Sequence, residues 1–183
     1  MVPKIIHYCW FGGKSLPDEA KEYIESWKKY CPDTEIVEWN ESNFDINCCQ
    51  YVKEAFDAKK WAFVSDYARF YVLYKYGGMY FDTDVEMIKP IDDIVSNGAF
   101  MGIEAGRKVF VAPGLGIGAE AGNEIFREIL DYYENQTFYL KDGTINKTTV
   151  VLRVSEILRK HGYKASGEKE KVGNITIYPS DFF

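Results

Sequence analysis

The chain has 183 residues and a formal net charge of −6, and 46% of its residues are hydrophobic and 16% aromatic. This length suits one domain with a sizeable core, and the apolar content argues against an intrinsically disordered chain. The acidic balance argues against a nucleic-acid partner, because phosphate backbones require clustered Lys and Arg.

Strands and helices are predicted in alternation along the chain. In order, they are a strand at 4–10, a helix at 17–30, a strand at 34–39, helices at 52–58 and 60–76, strands at 79–81, 85–88, 99–103 and 109–111, helices at 123–135 and 144–161, and a strand at 175–178. The helix at 60–76 has the clearest helical spacing, and Gly77 follows it as a C-cap. Asn123 is expected to cap its helix, and the last helix to begin between Thr144 and Thr148. This alternation predicts an α/β domain with a mixed or mostly parallel sheet, whose ligands bind beyond the carboxyl ends of the strands.

Cysteine spacing and hydropathy indicate the compartment. The four cysteines match no zinc pattern and are expected to be free thiols, as in cytosolic proteins; they are Cys9, Cys31, Cys48 and Cys49. No apolar run approaches the ~18 residues that a membrane helix needs, and no signal peptide precedes the first strand. We therefore expect a cytoplasmic protein without a transmembrane segment, for which peripheral contact with the inner face of the membrane stays open.

Two carboxylates, Asp82 and Asp84, directly follow the apolar run 77–81. Residues two apart on an extended segment point the same way, so both are expected to face one site. A hard cation such as Mn²⁺ or Mg²⁺ prefers oxygen ligands and shares them with substrate phosphates, where it acts as a Lewis acid for a diphosphate leaving group. The alternative is a turn with capping carboxylates, since an isolated Asp-x-Asp is common by chance.

Asp66 and Arg69 lie three residues apart on the predicted helix at 60–76 and therefore share a face. One interpretation is an ion pair at the surface. The other is an Arg that binds a phosphate or sugar, with Asp66 accepting hydrogen bonds from sugar hydroxyls. The sequence leaves both open.

Several other residues have a structural and a functional interpretation. Trp10, at the end of the first strand, is either a core aromatic or a ring that stacks on a nucleobase. Tyr80 either belongs to the core or lines a sugar pocket. His7 is expected to be a hydrogen-bonded core histidine. The glycine-rich segment 114–118 is expected to let the backbone approach a ligand or another strand closely, and residues 164–171 to form a solvated surface.

Three segments, at 3–13, 60–69 and 76–84, resemble the blocks of glycosyltransferase family 32, in the same order. That family contains bacterial capsular-polysaccharide sugar transferases and Golgi mannosyltransferases. The resemblance implies a GT-A fold and metal-dependent, retaining transfer of a hexose from a UDP- or GDP-hexose donor. It also implies a glycan or lipid-linked oligosaccharide acceptor, in capsular or other surface polysaccharide synthesis.

The large glucosylating toxins share these blocks, and their residue roles can be carried across. They imply that Trp10 stacks on the donor base and that Asp66 and Arg69 hold the donor sugar and phosphate. Asp82 would contact the ribose and the metal, and Asp84 would ligate Mn²⁺ or Mg²⁺. Tyr80 is placed with this donor-binding group, and no catalytic nucleophile is assigned.

The family pattern also bears on the end of the chain. Family members continue past a segment like 178–183 to a His-rich block that ends in Ser-x-Trp and helps to bind metal and diphosphate. We therefore expect residues 1–183 to form a single catalytic domain that lacks this block. A non-catalytic sugar-nucleotide- or glycan-binding protein is the alternative. A glycoside hydrolase is less favoured, because its two carboxylates would face each other across a cleft rather than lie side by side.

Overall fold

A computed structural model describes residues 1–106 and 109–183. Its strands are β1 (Ile5–Cys9), β2 (Glu35–Trp39), β3 (Gly78–Tyr80), β4 (Phe100–Gly102), β5 (Ile117–Ala119), β6 (Glu170–Val172) and β7 (Ile175–Tyr178). Its helices are α1 (Asp18–Tyr30), α2 (Gln50–Asp57), α3 (Trp61–Tyr76), α4 (Asp92–Val95), α5 (Glu124–Glu134) and α6 (Val150–Lys160), followed by a 3-10 turn at Ser180–Phe182. Within the described residues the strands form one mixed sheet in the order β2-β1-β3-β5-β4-β7-β6.

The pairing directions bring several strand ends to one edge of the sheet. β1 is parallel to β2 and β3, with His7 opposite Tyr80. β5 runs antiparallel to both β3 and β4, and β4 is parallel to β7. The carboxyl ends of β1, β3 and β4 therefore lie at the same edge as the amino end of β5. This is the edge at which the sequence places Trp10 and Asp82.

Apolar side chains cover both faces of the sheet. One core packs α2, α3, α5 and α6 against one face, and α3 is buried along most of its length. The second core packs α1 and the segment after β3 against the other face. His7 of β1 is buried; its Nε2 lies 2.9 Å from the carbonyl of Gly77, and its Nδ1 accepts from Trp39 Nε1. The expected core histidine is confirmed.

The predicted strand at 85–88 is wrong. Val85 donates its backbone N–H to the Asp82 carbonyl in a turn, at 3.1 Å. Side chains of α1 then bind the backbone that a neighbouring strand would otherwise bind: Trp27 Nε1 donates to the Val85 carbonyl at 2.8 Å, and Ser26 Oγ accepts from Met87 N–H at 2.8 Å. The segment is therefore anchored to a helix and joins no β ladder.

Other boundaries also differ from the prediction. The predicted strand at 109–111 is wrong and reduces to one bridge, because the N–H of Val111 is bound by Ser155 Oγ. α6 begins later than predicted, because Thr149 caps it by accepting from the Leu152 N–H. Among the described residues, four short elements were not predicted; they are α4, β5, β6 and the 3-10 turn at Ser180–Phe182. The caps expected at Asn123 and Gly77 are confirmed.

Two expectations about the whole chain were also tested. The cysteines Cys9, Cys31, Cys48 and Cys49 are all free thiols. Among the residues that the structure describes, no helix has the length and apolar character needed to cross a bilayer.

Candidate active site

Arg69 is the centre of the candidate site. It is only 4% exposed and comes from the buried face of α3. Its Nη2 donates to Asp66 Oδ1 at 3.2 Å, its Nη1 to Asp82 Oδ2 at 3.3 Å, and its Nε to the carbonyl of Ser65 at 3.1 Å. Its guanidinium also lies 4.8 Å from the centre of the Tyr80 ring. The interpretation of Asp66 and Arg69 as a surface ion pair is therefore wrong.

The charges around Arg69 keep it protonated. Burial alone would lower the pKa of Arg69, but Asp82, Tyr80 and Asp66 raise it above its usual value. Burial raises the pKa of Asp66 to about 6, and the positive charge of Arg69 opposes this shift. One buried cation thus faces two carboxylates contributed by different elements, α3 and the end of β3.

Asp82 is held on both of its oxygens. Tyr80 donates its hydroxyl to Asp82 Oδ1 at 2.8 Å, while Arg69 contacts Oδ2. Burial is the main cause that raises the pKa of the Tyr80 hydroxyl well above its usual value, and the Asp82 charge adds to it. Tyr80 therefore donates a proton to this bond and orients the Asp82 carboxylate. Tyr80 is thus a core residue, as one interpretation held, and only its hydroxyl reaches the site, through Asp82.

Asp84 lies in a turn and is exposed. The sequence argument for a shared direction of Asp82 and Asp84 assumed an extended segment, and that premise is wrong, because the backbone turns at residues 83–84. Both carboxylates nevertheless line the same two cavities. Among the described residues the side chain of Asp82 caps no backbone group, and its oxygens bind Tyr80 and Arg69.

Two cavities meet at this group. The first, called here the Trp10 cavity, has a volume of about 420 Å³ and is lined by Trp10, Lys14, Trp61, Arg69, Asp82 and Asp84, among others. The second, called here the Glu104 cavity, has a volume of about 410 Å³ and is lined by Asp66, Arg69, Asp82, Asp84, Glu104 and Gly114, among others. Arg69 and the two carboxylates of the Asp-x-Asp motif are thus shared between them.

The Trp10 cavity has a well-supported wall. Trp10 is half-buried just beyond β1, and its Nε1 donates to the carbonyl of Lys14 at 2.6 Å. Gly12, at φ 99°, brings the backbone against Trp61, since a Cβ there would lie 2.6 Å from Trp61 Nε1. A partly exposed, fixed indole next to a cavity suits stacking on a flat ring.

Gly114 explains part of the glycine-rich segment. Its carbonyl accepts from Asp82 N–H at 2.8 Å, and a Cβ at this position would lie 1.8 Å from Asp82 Oδ2. Gly116 and Gly118 likewise face Phe183 and Phe100 at distances that leave no room for a Cβ. The expected close approach at residues 114–118 is confirmed, and at Gly114 the group that approaches is Asp82.

Sequence reasoning missed several lining residues. Trp61 belongs to the marked segment 60–69, and Lys14 directly follows the marked segment 3–13, so their positions were a usable signal. Glu104 carries no motif, and only the direction of β4 brings it to this edge of the sheet. A topology was needed to find it.

The pair of carboxylates fits a divalent cation that takes its other ligands from substrate. Among the described residues, no group of three or more His, Cys, Asp or Glu side chains is placed to hold a metal. Mg²⁺ and similar divalent cations commonly bind one or two carboxylates together with phosphate oxygens and water. The exposed carboxylate of Asp84 and the remaining lone pairs on the Asp82 oxygens could supply these two ligands. The two residues therefore suit a cation that is shared with a diphosphate.

Comparison with known proteins gives this arrangement a family context. Residues 17–101 match the family model described as a glycosyltransferase sugar-binding region containing a DXD motif. Inositol phosphoceramide mannosyltransferases 1 and 3 of Schizosaccharomyces pombe are 24% and 28% identical over 111 and 109 residues, which cover 55% and 51% of this chain and 33% and 27% of those proteins. An uncharacterized glycosyltransferase of Acanthamoeba polyphaga mimivirus is 27% identical over 158 residues, which cover 81% of this chain and 60% of that protein. The chain thus spans less than two thirds of the length of these curated relatives.

A solved structure agrees on the fold. The glycosyltransferase PaToxG matches with a TM-score of 0.63 at 17% identity, over 87% of this chain and 69% of that chain. The mixed sheet with helices on both faces is accordingly a GT-A fold, as expected. The resemblance to glycosyltransferase family 32 is confirmed as well, since residues 17–101 match the DXD-containing sugar-binding region and the fold is GT-A.

Proposed function

We propose that this domain transfers a hexose from a nucleotide-diphosphate sugar to a glycan or lipid-linked oligosaccharide acceptor, with the help of a divalent metal. The observation that carries the proposal is the buried Arg69, which joins Asp66 to Asp82 at the boundary of two cavities that share Asp84. A buried cation between two pockets suits a diphosphate that has a nucleoside on one side and a sugar on the other.

The Trp10 cavity is the proposed nucleoside site. Trp10 supplies a stacking surface for a uracil or guanine base, and Asp82, which lines the same cavity, is proposed to contact the ribose. Arg69 provides fixed positive charge towards the diphosphate. A bound Mn²⁺ or Mg²⁺, held by Asp82 and Asp84, would neutralise charge that develops on the diphosphate leaving group.

The Glu104 cavity is the proposed sugar site. Asp66 is mostly buried and lines this cavity, so its carboxylate can accept hydrogen bonds from sugar hydroxyls where water competes little. Retention of anomeric configuration is proposed from the family resemblance. The relatives named as mannosyltransferases make GDP-mannose an early donor to test.

The proposed biological setting is capsular or other surface polysaccharide synthesis in the cytoplasm, with peripheral contact at the inner face of the membrane. The free thiols support a reducing compartment. Residues 1–183 are proposed to act as one catalytic domain, since a single sheet connects all the site-bearing elements.

Titration calorimetry with UDP, GDP and their common hexose conjugates tests the proposal, first with Mn²⁺ and then with EDTA. We expect one nucleotide and its hexose conjugate to bind, at least about tenfold more weakly in EDTA, because a metal supplies several kcal/mol of charge stabilisation. Asp84→Asn should reproduce the EDTA result in the presence of Mn²⁺. Glu86→Gln removes an exposed carboxylate two residues away and should behave as the unchanged protein.

The outcomes separate the candidate functions. Donor binding together with transfer of the hexose to an acceptor, lost in EDTA, supports the transferase. Binding without transfer or hydrolysis of any donor supports the non-catalytic sugar-nucleotide-binding alternative. Equal affinity of Asp84→Asn and wild type for the nucleotide in Mn²⁺ would refute the metal assignment.

A further inference from the structure

The indole N–H of Trp61 has no acceptor among the described residues. The other three tryptophans of the chain each donate theirs to the protein: Trp10 to the Lys14 carbonyl at 2.6 Å, Trp27 to the Val85 carbonyl at 2.8 Å, and Trp39 to His7 Nδ1 at 3.0 Å. Trp61 Nε1 is also not one of the buried polar atoms that lack a partner. Its N–H is therefore open to solvent, where a ligand can reach it.

Trp61 belongs to the wall of the Trp10 cavity. It is the first residue of α3, is half-buried, and lines this cavity together with Trp10. Two of the four tryptophans therefore face the proposed nucleoside site, one with its N–H bound by the protein and one with its N–H open. A base that stacks on Trp10 would lie in the same cavity as the open donor.

Contacts with two other segments fix the Trp61 ring. Phe56 of α2 meets it edge to face, with ring centres 5.2 Å apart and an angle of 62° between the planes. The glycine turn after Trp10 also packs against it, since a Cβ at Gly12 would lie 2.6 Å from Trp61 Nε1, 2.7 Å from Cε2 and 3.2 Å from Cδ1. The edge of the indole that carries the N–H thus lies at this turn, two residues beyond Trp10. A ring held in place before binding loses little conformational freedom when it donates to a ligand.

The two tryptophans can therefore read different parts of a base. The N–H of Trp10 is used by the Lys14 carbonyl, so Trp10 offers a base only its apolar surface. The N–H of Trp61 can meet the edge of a base. An indole N–H donates and never accepts, so it pairs with a keto oxygen and not with an amino group. Uracil and guanine carry a keto oxygen at the position where cytosine and adenine carry an amino group.

We propose that Trp61 selects the base of the donor by donating its indole N–H to the keto oxygen of uracil or guanine. This inference rests on the proposed function and gives it a basis for choosing UDP or GDP over CDP or ADP. An amino group at the same position would place two donors against each other and leave both unpaired, and a hydrogen-bonding site rejects such a ligand strongly. The contact does not choose between uracil and guanine, because both offer the same kind of oxygen.

Calorimetry with keto and amino nucleotides tests the proposal. UDP, CDP, GDP and ADP are titrated in Mn²⁺ into wild type and Trp61→Phe, which keeps an aromatic ring and removes the N–H; weak ligands are measured by competition. Wild type should bind one keto nucleotide at least about tenfold more tightly than the amino nucleotide of the same ring size. In Trp61→Phe the affinity for that keto nucleotide should fall about fivefold, because one hydrogen bond is lost, and the affinity for its amino partner should change by less than about twofold.

Trp39→Phe is the matched control. It also removes an indole N–H, but Trp39 lines neither the Trp10 cavity nor the Glu104 cavity. Its ratio of keto to amino nucleotide affinity should therefore equal that of wild type. An unchanged ratio in Trp61→Phe, or equal losses for the keto and the amino nucleotide, would overturn the assignment, because either result gives Trp61 no role at the base edge.

A measurement on the unchanged protein covers a variant that fails to fold. If Trp61→Phe does not fold, the indole N–H signals in the nuclear magnetic resonance spectrum of isotope-labelled wild type decide. The Trp61 signal should exchange fastest with water, since this N–H lacks an acceptor in the described part of the chain, and it should move downfield when the keto nucleotide is added. No downfield movement overturns the proposal. A wild-type protein that binds none of the four nucleotides overturns the proposed function itself, whereas binding without a keto preference overturns only the role of Trp61.

Discussion

Replacing Gly114 by alanine would disturb the Asp-x-Asp motif from 30 residues away in the sequence. The new Cβ would lie 1.8 Å from Asp82 Oδ2, 2.8 Å from Asp82 Cγ and 3.2 Å from Arg69 Nη1. To restore an ordinary contact of 3.4 Å, the carboxylate oxygen has to retreat by roughly 1.6 Å. That displacement breaks the 3.3 Å contact with Arg69 or the 2.8 Å hydrogen bond from Tyr80.

The expected effect falls mainly on donor binding. A charge-assisted hydrogen bond contributes about 1.5–3 kcal/mol, and the side chain of Asp82 is 37% exposed, so about 1–2 kcal/mol of stability is at risk. Alanine also restricts the unfolded chain, which offsets about 0.4–1 kcal/mol. The net loss of unfolding free energy should be about 1 kcal/mol or less, whereas Mn²⁺-dependent nucleotide affinity should fall about tenfold or more because Asp82 is displaced.

Gly116→Ala is the matched control. Its Cβ would meet carbon atoms only, 2.6 Å from the Phe183 ring and 3.0 Å from the Phe81 ring. Overpacking of this kind costs about 1–3 kcal/mol of stability and should leave nucleotide affinity in Mn²⁺ close to that of wild type. Urea unfolding and calorimetry on both variants give the comparison. Wild-type affinity in Gly114→Ala, or parallel losses in the two variants, would refute the idea that Gly114 holds space for Asp82.

Two further predictions concern the nucleoside cavity and the buried carboxylate. Trp10→Ala should weaken binding of UDP or GDP by about 1–3 kcal/mol through lost stacking, and Trp10→Phe by less; calorimetric affinity in Trp10→Ala equal to wild type would rule out the stacking role. Because burial raises the pKa of Asp66 to about 6, the folded protein holds this proton more tightly than the unfolded chain. Protonated Asp66 therefore stabilises the folded protein below about pH 4, and this stabilisation is lost as the pH rises to about 6. The difference in urea-unfolding free energy between wild type and Asp66→Asn should decline by up to about 3 kcal/mol as the pH rises from about 4 to about 6. A difference that does not change with pH would contradict the raised pKa of Asp66.

The sequence predicted the site-bearing elements well where local signals were strong. β1, α3 and β3 form where glycine turns and helical spacing placed them, and the Asp-x-Asp motif follows β3 as expected. The contact between Arg69 and Asp82 could not be predicted, because it depends on how α3 packs against the sheet. The segment 85–88 read as a strand because its apolar residues suit one. The side chains of Ser26 and Trp27 bind its backbone instead, and the residues of the segment give no indication of those partners.

Arg153 is an unusual residue that the helical spacing of α6 could have revealed. It lies at helical spacing between Val150 and Ile157, on the face that α6 buries. A charged residue on an apolar helical face is uncommon, because burial of an unpaired charge is costly. The spacing alone could have marked Arg153 as unusual, but the tyrosine rings that enclose it come from α2 and α5 and needed the tertiary structure.

The contacts of Arg69 have a consequence for how the site would bind the proposed cation. The guanidinium already partners Asp66 and Asp82, so the interior carboxylates have a resident counter-charge before any ion arrives. The domain is therefore expected to fold without metal, in contrast to small zinc domains whose folding requires the ion. The proposed cation would then be an exchangeable ligand that enters and leaves with the diphosphate. Occupancy of the site would follow the cellular supply of free cation and sugar nucleotide together.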